Sequence, residues 1–180
     1  MGMKLNFELT DRDLDFFRAS LQRCREVVRN AEELEIVEAI RGVIDEIRSN
    51  EPLPDFVANR LPELEAMIQM LMDDEWQLPV SDREHLLSAF VYFGDPEDIL
   101  PDDIPVIGYL DDVIIVELVA RELQHAREAY EDFCAFREEY DAEHPRSDSA
   151  VRRDRLDKRR QQLHLRMQRR ATKDRKNRLR

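Results

Sequence analysis

The chain has 180 residues, 28 Lys and Arg against 40 Asp and Glu for a formal net charge of −12, 38% charged residues, 4 glycines and 7% aromatics. That length suits one core with an appendage better than two independent domains, and a glycine-poor, charge-rich composition excludes collagen-like, low-complexity and disulfide-scaffold classes and points to helices with long solvated faces. No window reaches the apolar length of a bilayer span, and the first residues, MGMKLNFELT, lack a basic-then-apolar signal layout, so the chain is expected to be soluble and cytoplasmic.

The total charge hides a division. From Arg146 to Arg180 there are 15 Lys and Arg against 4 Asp and Glu, a net +11, so residues 1–145 carry −23. An acidic body with a basic tail is a statement about partners more than about fold. The expected architecture is all-α: a single helical-bundle domain of about five helices over residues 1–145, with a long central and C-terminal helix, and a basic, helical or disordered tail over 146–180. Cys24 and Cys134 read as reduced thiols. Asn6 stands where a myristoylation signal needs Ser or Thr, which removes lipidation at Gly2.

In chain order, Leu5, Phe7 and Leu9 alternate with polar residues and predict a few extended residues over Lys4 to Leu9. Thr10 is placed as an N-cap, with Asp11 and Asp13 in the first turn where the helix dipole favours negative charge. Leu14, Phe17, Leu21, Cys24 and Val28 then form one apolar stripe, and Leu34, Val37, Ile40, Ile44 and Ile47 a second, as in an antiparallel pair. Asp55 opens a short helix, and Pro62, at a first-turn position, opens another through Met72. Trp76 and Pro79 fall in a connection. Ser81 to Glu84 fits the capping box, and the helix it starts ends at Gly94 as a left-handed cap.

Asp95 to Asp112, DPEDILPDDIPVIGYLDD, holds three of the eight prolines and seven carboxylates, which is more punctuation than a helix-to-helix turn requires. Asp95 as an N-cap with Pro96 behind it predicts one helical turn to Leu100, ended by Pro101, and Pro105 and Gly108 bend the chain again. Asp111 and Asp112 then start a long helix reaching about Glu139. Its first turns, Val113 to Ala120, are apolar nearly all round. Later a stripe of Leu123, Ala126, Tyr130, Phe133 and Cys134 remains, with Glu122, His125, Glu128 and Asp132 facing outward. Asp112 projects about 40° from the middle of the apolar stripe on a wheel of 100° per residue, so its carboxylate is expected toward the core. Beyond His144-Pro145 a thin apolar line of Leu156, Leu163 and Met167 predicts a tail that is helical or disordered and not packed.

Pro96, Asp98, Ile99-Leu100-Pro101-Asp102, Ile104-Pro105, Gly108 and Asp111-Asp112 resemble the hallmark of the bacterial YkvA family, a domain of unknown function with the pattern P-x-D-L-I-P-D-x-I-P-x-x-G-x-x-D-D. The flanking helices, Leu86 to Phe93 and Val113 to Leu123, fit the same domain, so the YkvA-like core is placed at about 81–135. The resemblance implies a helical domain without an established activity. Some members appear membrane-associated, but Glu97, Asp103, Glu117 and Arg121 interrupt the apolar run in this chain, so it does not extend to insertion.

Two function classes follow. Asp98, Asp102, Asp111 and Asp112 offer oxygen ligands from a bent loop, as a hard divalent cation such as Mg²⁺ or Ca²⁺ requires, while the same four residues suit helix caps and loop-fixing acceptors. The tail offers Arg152, Arg153, Arg155, Arg159, Arg160, Arg166, Arg169 and Arg170 to an anionic partner: nucleic acid, the ribosome or an anionic membrane surface. It has no aromatics for base stacking, and the plain alternative is a tail folded back on the acidic body. Glu122 and His125 have the E-x-x-H spacing of di-metal bundles, but in one copy and off the apolar stripe. No phosphate-binding glycine loop, activated nucleophile or Cys-x-x-Cys is present, so the chain reads as a non-catalytic interaction module, with metal binding or hydrolysis through the acidic segment as the alternative.

Overall fold

The structure is a computed structural model that describes residues 8–49, 55–94 and 110–178. The extended stretch expected from Lys4 lies outside them up to Phe7, as do the bends at Pro96 to Gly108. Eight helices and no strand occur among the described residues, so the chain is all-α. The five or so helices expected become seven long ones and a single turn: the predicted helix after Asp111 is two, the tail is one, and the short helix expected at Asp55 is the four-residue α3.

The described residues divide into two compact units. The first draws on the described parts of 1–60 and 84–119. Its first helix, α1 (Asp11–Val28), begins after Thr10, whose amide and hydroxyl both donate to the Asp13 carboxylate at 2.9 and 2.7 Å. Those two bonds hold the Asp13 carboxyl below its ordinary range. The α1 stripe buries Phe17, Leu21 and Cys24. Helix α2 (Glu33–Ser49) buries Ile36, Val37, Ile40, Ile44 and Ile47, each contributing about 2 kcal/mol relative to an exposed side chain. Leu34, placed on that stripe from spacing, is instead 60% exposed; the seam runs through Ile36, two residues on. The turn α3 (Asp55–Ala58) buries Val57.

Helix α5 (Val80–Phe93) contributes residues from Glu84 onward to this unit. It starts one residue before the expected cap. The Pro79 carbonyl accepts from the Asp82 and Arg83 amides, which puts Ser81 inside the first turn and removes the predicted capping box. At the other end Gly94 has no positive φ, and its amide donates to Phe90 in the ordinary helical pattern at 3.1 Å; the left-handed cap is not adopted. Helix α6 (Leu110–Glu122) buries Ile115, Val116, Leu118 and Val119, and Arg60 pairs with its Glu117 at 2.6 Å.

The second unit comprises 61–83 and 120–180 in its described parts. Helix α4 (Leu61–Met72) buries Leu61, Leu64, Met67, Ile68, Met70 and Leu71, the plain core use of methionine. Where one helix was expected from Asp111 to Glu139, Leu123 interrupts it at φ −93 and ψ 10, and α7 (Gln124–Glu143) begins afresh with the Arg127 amide on the Leu123 carbonyl. No Gly or Pro marks that break, so local propensity is silent about it. Leu123 is 4% exposed, and its burial is a tertiary effect.

Helix α8 (Ser149–Arg178) is the tail. It is packed, contrary to the expectation from its thin apolar line: Leu156, Leu163 and Met167 are buried, and α8 runs antiparallel along α7. Trp76, fully buried in the connection after α4, gathers the unit. Its ring lies 5.3 Å from Phe133 and 5.7 Å from Tyr130 of α7, and 4.5 Å edge-on from His164 of α8.

Candidate functional site

Of the four aspartates offered to a cation, the structure describes two. Asp111 and Asp112 occupy the first turn of α6 and are 2% and 1% exposed. The expectation that Asp112 points inward is met, and Asp111 is buried with it. Tyr92, near the end of α5, donates its hydroxyl toward Asp111 at 3.5 Å. Two buried carboxylates at a helix start are favoured by the dipole there and need polar company. Asp98 and Asp102 lie outside the described residues. Among the described residues, no group of three or more His, Cys, Asp or Glu side chains is placed to hold a metal ion.

The helices that flank this turn carry the family signal. Residues 85–118 match the family model described as a protein of unknown function, DUF1232. The DUF1232 match bears out the YkvA-like recognition made from the sequence, taking in the second half of α5 and the first turns of α6. No curated protein and no solved structure matches the chain. The DUF1232 description names no activity, so any function must be argued from side chains. No helix among the described residues is long and apolar enough to cross a membrane.

The richer chemistry lies beyond the DUF1232 segment, along α7 and α8. His125, Glu128 and Asp132, expected to face solvent, face α8 instead. His125 Nε2 meets Asp174 at 2.7 Å, Arg170 donates to Glu128 at 2.7 Å, and Arg166 pairs with Asp132. At the other end Arg152 donates through Nε and Nη2 to Asp141 at 2.6 and 2.8 Å and pairs with Glu75. The Arg152 bonds are the leading cause that holds the carboxyls of Glu75 and Asp141 below their ordinary range.

The connection after α4 anchors this arrangement. Asp73 Oδ1 accepts from the amides of Glu75 and Trp76 at 2.9 and 3.0 Å, closing a turn, while Oδ2 accepts from Tyr130 at 3.1 Å and Arg137 at 2.8 Å. Arg137 also reaches Glu75 at 3.1 Å, and Arg160 donates to the Glu75 carbonyl at 2.9 Å. Burial pushes the Tyr130 hydroxyl and the Cys134 thiol up and the His164 imidazole down, so Tyr130 stays a donor, Cys134 stays a thiol and His164 stays neutral at pH 7. Asp73, Glu75, Arg137 and Asp141 were not singled out from the sequence. Each is an ordinary helix-surface or loop charge there, and only the meeting of the 73–75 connection, α7 and α8 brings them together.

The eight tail arginines offered to an anionic partner thereby separate. Arg152, Arg160, Arg166 and Arg170 are committed to acids or a carbonyl of the same unit, and Arg159 lies over the Phe136 ring at 5.4 Å. Arg153, Arg155 and Arg169 are exposed and make no ion pair among the described residues. At 100° per residue, Arg155, Lys158, Arg169, Lys173 and Lys176 fall within about 60° of one another, roughly 130° from the seam of Leu156, Leu163 and Met167. All five are exposed, and the stripe they form is about 30 Å long at 1.5 Å per residue. Val151 and Leu165, 52% and 54% exposed, lie on the same side.

Proposed function

We propose that the chain is a non-catalytic interaction module in which the exposed stripe of α8 contacts an anionic partner: nucleic acid, the ribosome or an anionic membrane surface. The separation of the basic residues on α8 supports this reading. Acids of α7 and of the 73–75 connection neutralise one side of the helix, and the opposite side carries five cations, of which only Lys158 has an ion-pair partner among the described residues, Asp154 at 2.7 Å. A self-satisfied tail would need acids on both sides. Phosphate contacts of this kind release counterions, so with about four contacts the binding constant should fall with roughly the third power of salt concentration.

The test uses the full chain and a variant with Arg155, Arg169, Lys173 and Lys176 changed to Gln. The parent should bind a duplex oligonucleotide, ribosomes or phosphatidylserine vesicles at low salt and release them at high salt, and the variant should lose at least about tenfold at low salt. Equal binding by parent and variant, or binding that survives 1 M salt, would refute the proposal.

A second reading rests on the burial of Asp111 and Asp112, a costly placement unless the carboxylates serve as caps or as oxygen ligands. With Asp98 and Asp102 they would supply a hard cation. A rise in the melting temperature on adding Mg²⁺, Mn²⁺ or Ca²⁺ supports that reading, and an unchanged melting temperature at millimolar cation removes it.

A further inference from the structure

The tail holds no aromatic residue, but the fold places three rings beside it. Phe136 and Tyr140 stand four residues apart on one face of α7, and His144, the residue that caps its end, follows at the turn into α8. Tyr140 and His144 stack at 4.5 Å between centroids with 15° between planes, and Phe136 and Tyr140 follow at 6.2 Å and 27°. Each ring is pinned. The Tyr140 hydroxyl lies 3.0 Å from Ser147 Oγ, His144 Nδ1 lies 3.1 Å from the Tyr140 carbonyl, and the Arg159 guanidinium sits over Phe136 at 5.4 Å. The last ring, His144, is exposed.

This stack lines an open cleft of about 680 Å³ together with Glu143, Arg146, Val151 and Arg155. The volume is that of a small-ligand site. Arg155 belongs both to the cleft and to the basic stripe of α8, so the rings and the cations are continuous.

We propose that the cleft at the α7–α8 turn is a stacking site for an unpaired base of single-stranded nucleic acid, whose phosphates run onto Arg155 and along α8. A base laid on His144 continues an ordered three-ring stack, while Arg146 and Arg155 stand where the flanking phosphates would lie. Base-paired duplex keeps its base faces inside its own stack and cannot use the rings. A bilayer would need an exposed apolar surface, and here Val151 and Leu165 stand about 21 Å apart along the helix. The inference rests on the proposal that α8 takes an anionic partner, and adds which one.

Fluorescence anisotropy of the full chain with a labelled 15-nucleotide oligothymidylate, a duplex of equal phosphate count, and phosphatidylserine vesicles tests it. Tyr140→Leu with His144→Ala should weaken the single strand at least about fivefold, the lower end of what a base stacked on an aromatic side chain contributes, and should leave the duplex within about twofold. Tyr140→Phe with His144→Phe, which keeps the rings and loses the Ser147 bond, should retain single-strand binding. The stacking site is overturned if the Leu/Ala variant binds the single strand like the parent, if it loses single strand and duplex equally, or if the parent binds vesicles and neither nucleic acid. Salt-sensitive binding of both nucleic acids that ignores the ring substitutions sinks the stacking site alone, while absence of binding to any of the three polyanions sinks the α8 reading with it.

Discussion

Leu163 and Leu165 stand two residues apart on α8, carry the same side chain, and have 2% and 54% of it exposed. Changing each to Ala therefore measures how firmly the helix is docked, with helix propensity cancelling between the two variants. Leu163→Ala removes three carbon groups from the seam, about 2.4 kcal/mol of transfer free energy at 0.8 kcal/mol each. The space left in the buried seam adds to that, which brings the loss into the lower half of the 2–5 kcal/mol seen for buried Leu→Ala changes, about 2.5 kcal/mol. Leu165→Ala should stay within about 0.5 kcal/mol of the parent.

Trypsin reads the difference directly, because α8 carries closely spaced Arg and Lys residues, and a helix must open locally before it is cut. When opening and closing are fast relative to cleavage, the rate follows the open population. A loss of 2.5 kcal/mol then raises cleavage after Arg160 and Arg166 by about 60-fold, at 1.4 kcal/mol per decade. Cleavage of the Leu165 variant should match the parent within about threefold. Equal rates for both variants, or a parent already cut as fast as an unstructured peptide, would show that α8 is not held by this seam, and the division of its arginines would lose its basis.

Two further outcomes follow from the same geometry. Glu75 and Asp141 titrate below their ordinary values because of Arg152, so their contribution to stability is complete above about pH 5 and is lost as the pH falls through and below the ordinary carboxylate range. The acid limb of a melting-temperature profile should accordingly be shallower in Arg152→Gln than in the parent, and identical limbs would refute the pairing. Gly94 has no positive φ, and an added Cβ would meet only the Phe90 carbonyl at an ordinary 3.5 Å. Gly94→Ala should raise stability by about 0.5 to 1 kcal/mol in urea unfolding, whereas a left-handed cap would make the same change destabilising.

The sequence by itself determined the helices with clean periodicity and the identity of the central segment. Thr10 and the α1 stripe, the run from Val37 to Ile47, Pro62 at the start of α4, and the inward direction of Asp112 were all legible, because each depends on spacing along one helix or on the chemistry of one cap. The DUF1232 segment was legible for a different reason, its dense arrangement of Pro, Gly and Asp. What only the tertiary structure decided were the features that need two segments at once. The break at Leu123 carries no Pro or Gly. The burial of Leu163 depends on α7 lying beside it, and a stripe of three apolar residues in thirty is too thin to announce a partner. Glu75, Asp141 and Arg152 acquire meaning only when the connection after α4, the end of α7 and the start of α8 meet. The same antiparallel return decided which side of α8 is neutralised and which stays charged. It also set Phe136, Tyr140 and His144 beside a helix that has no Phe, Tyr or Trp, and the local code cannot carry such a juxtaposition because it is fixed by packing between segments 11 to 85 residues apart.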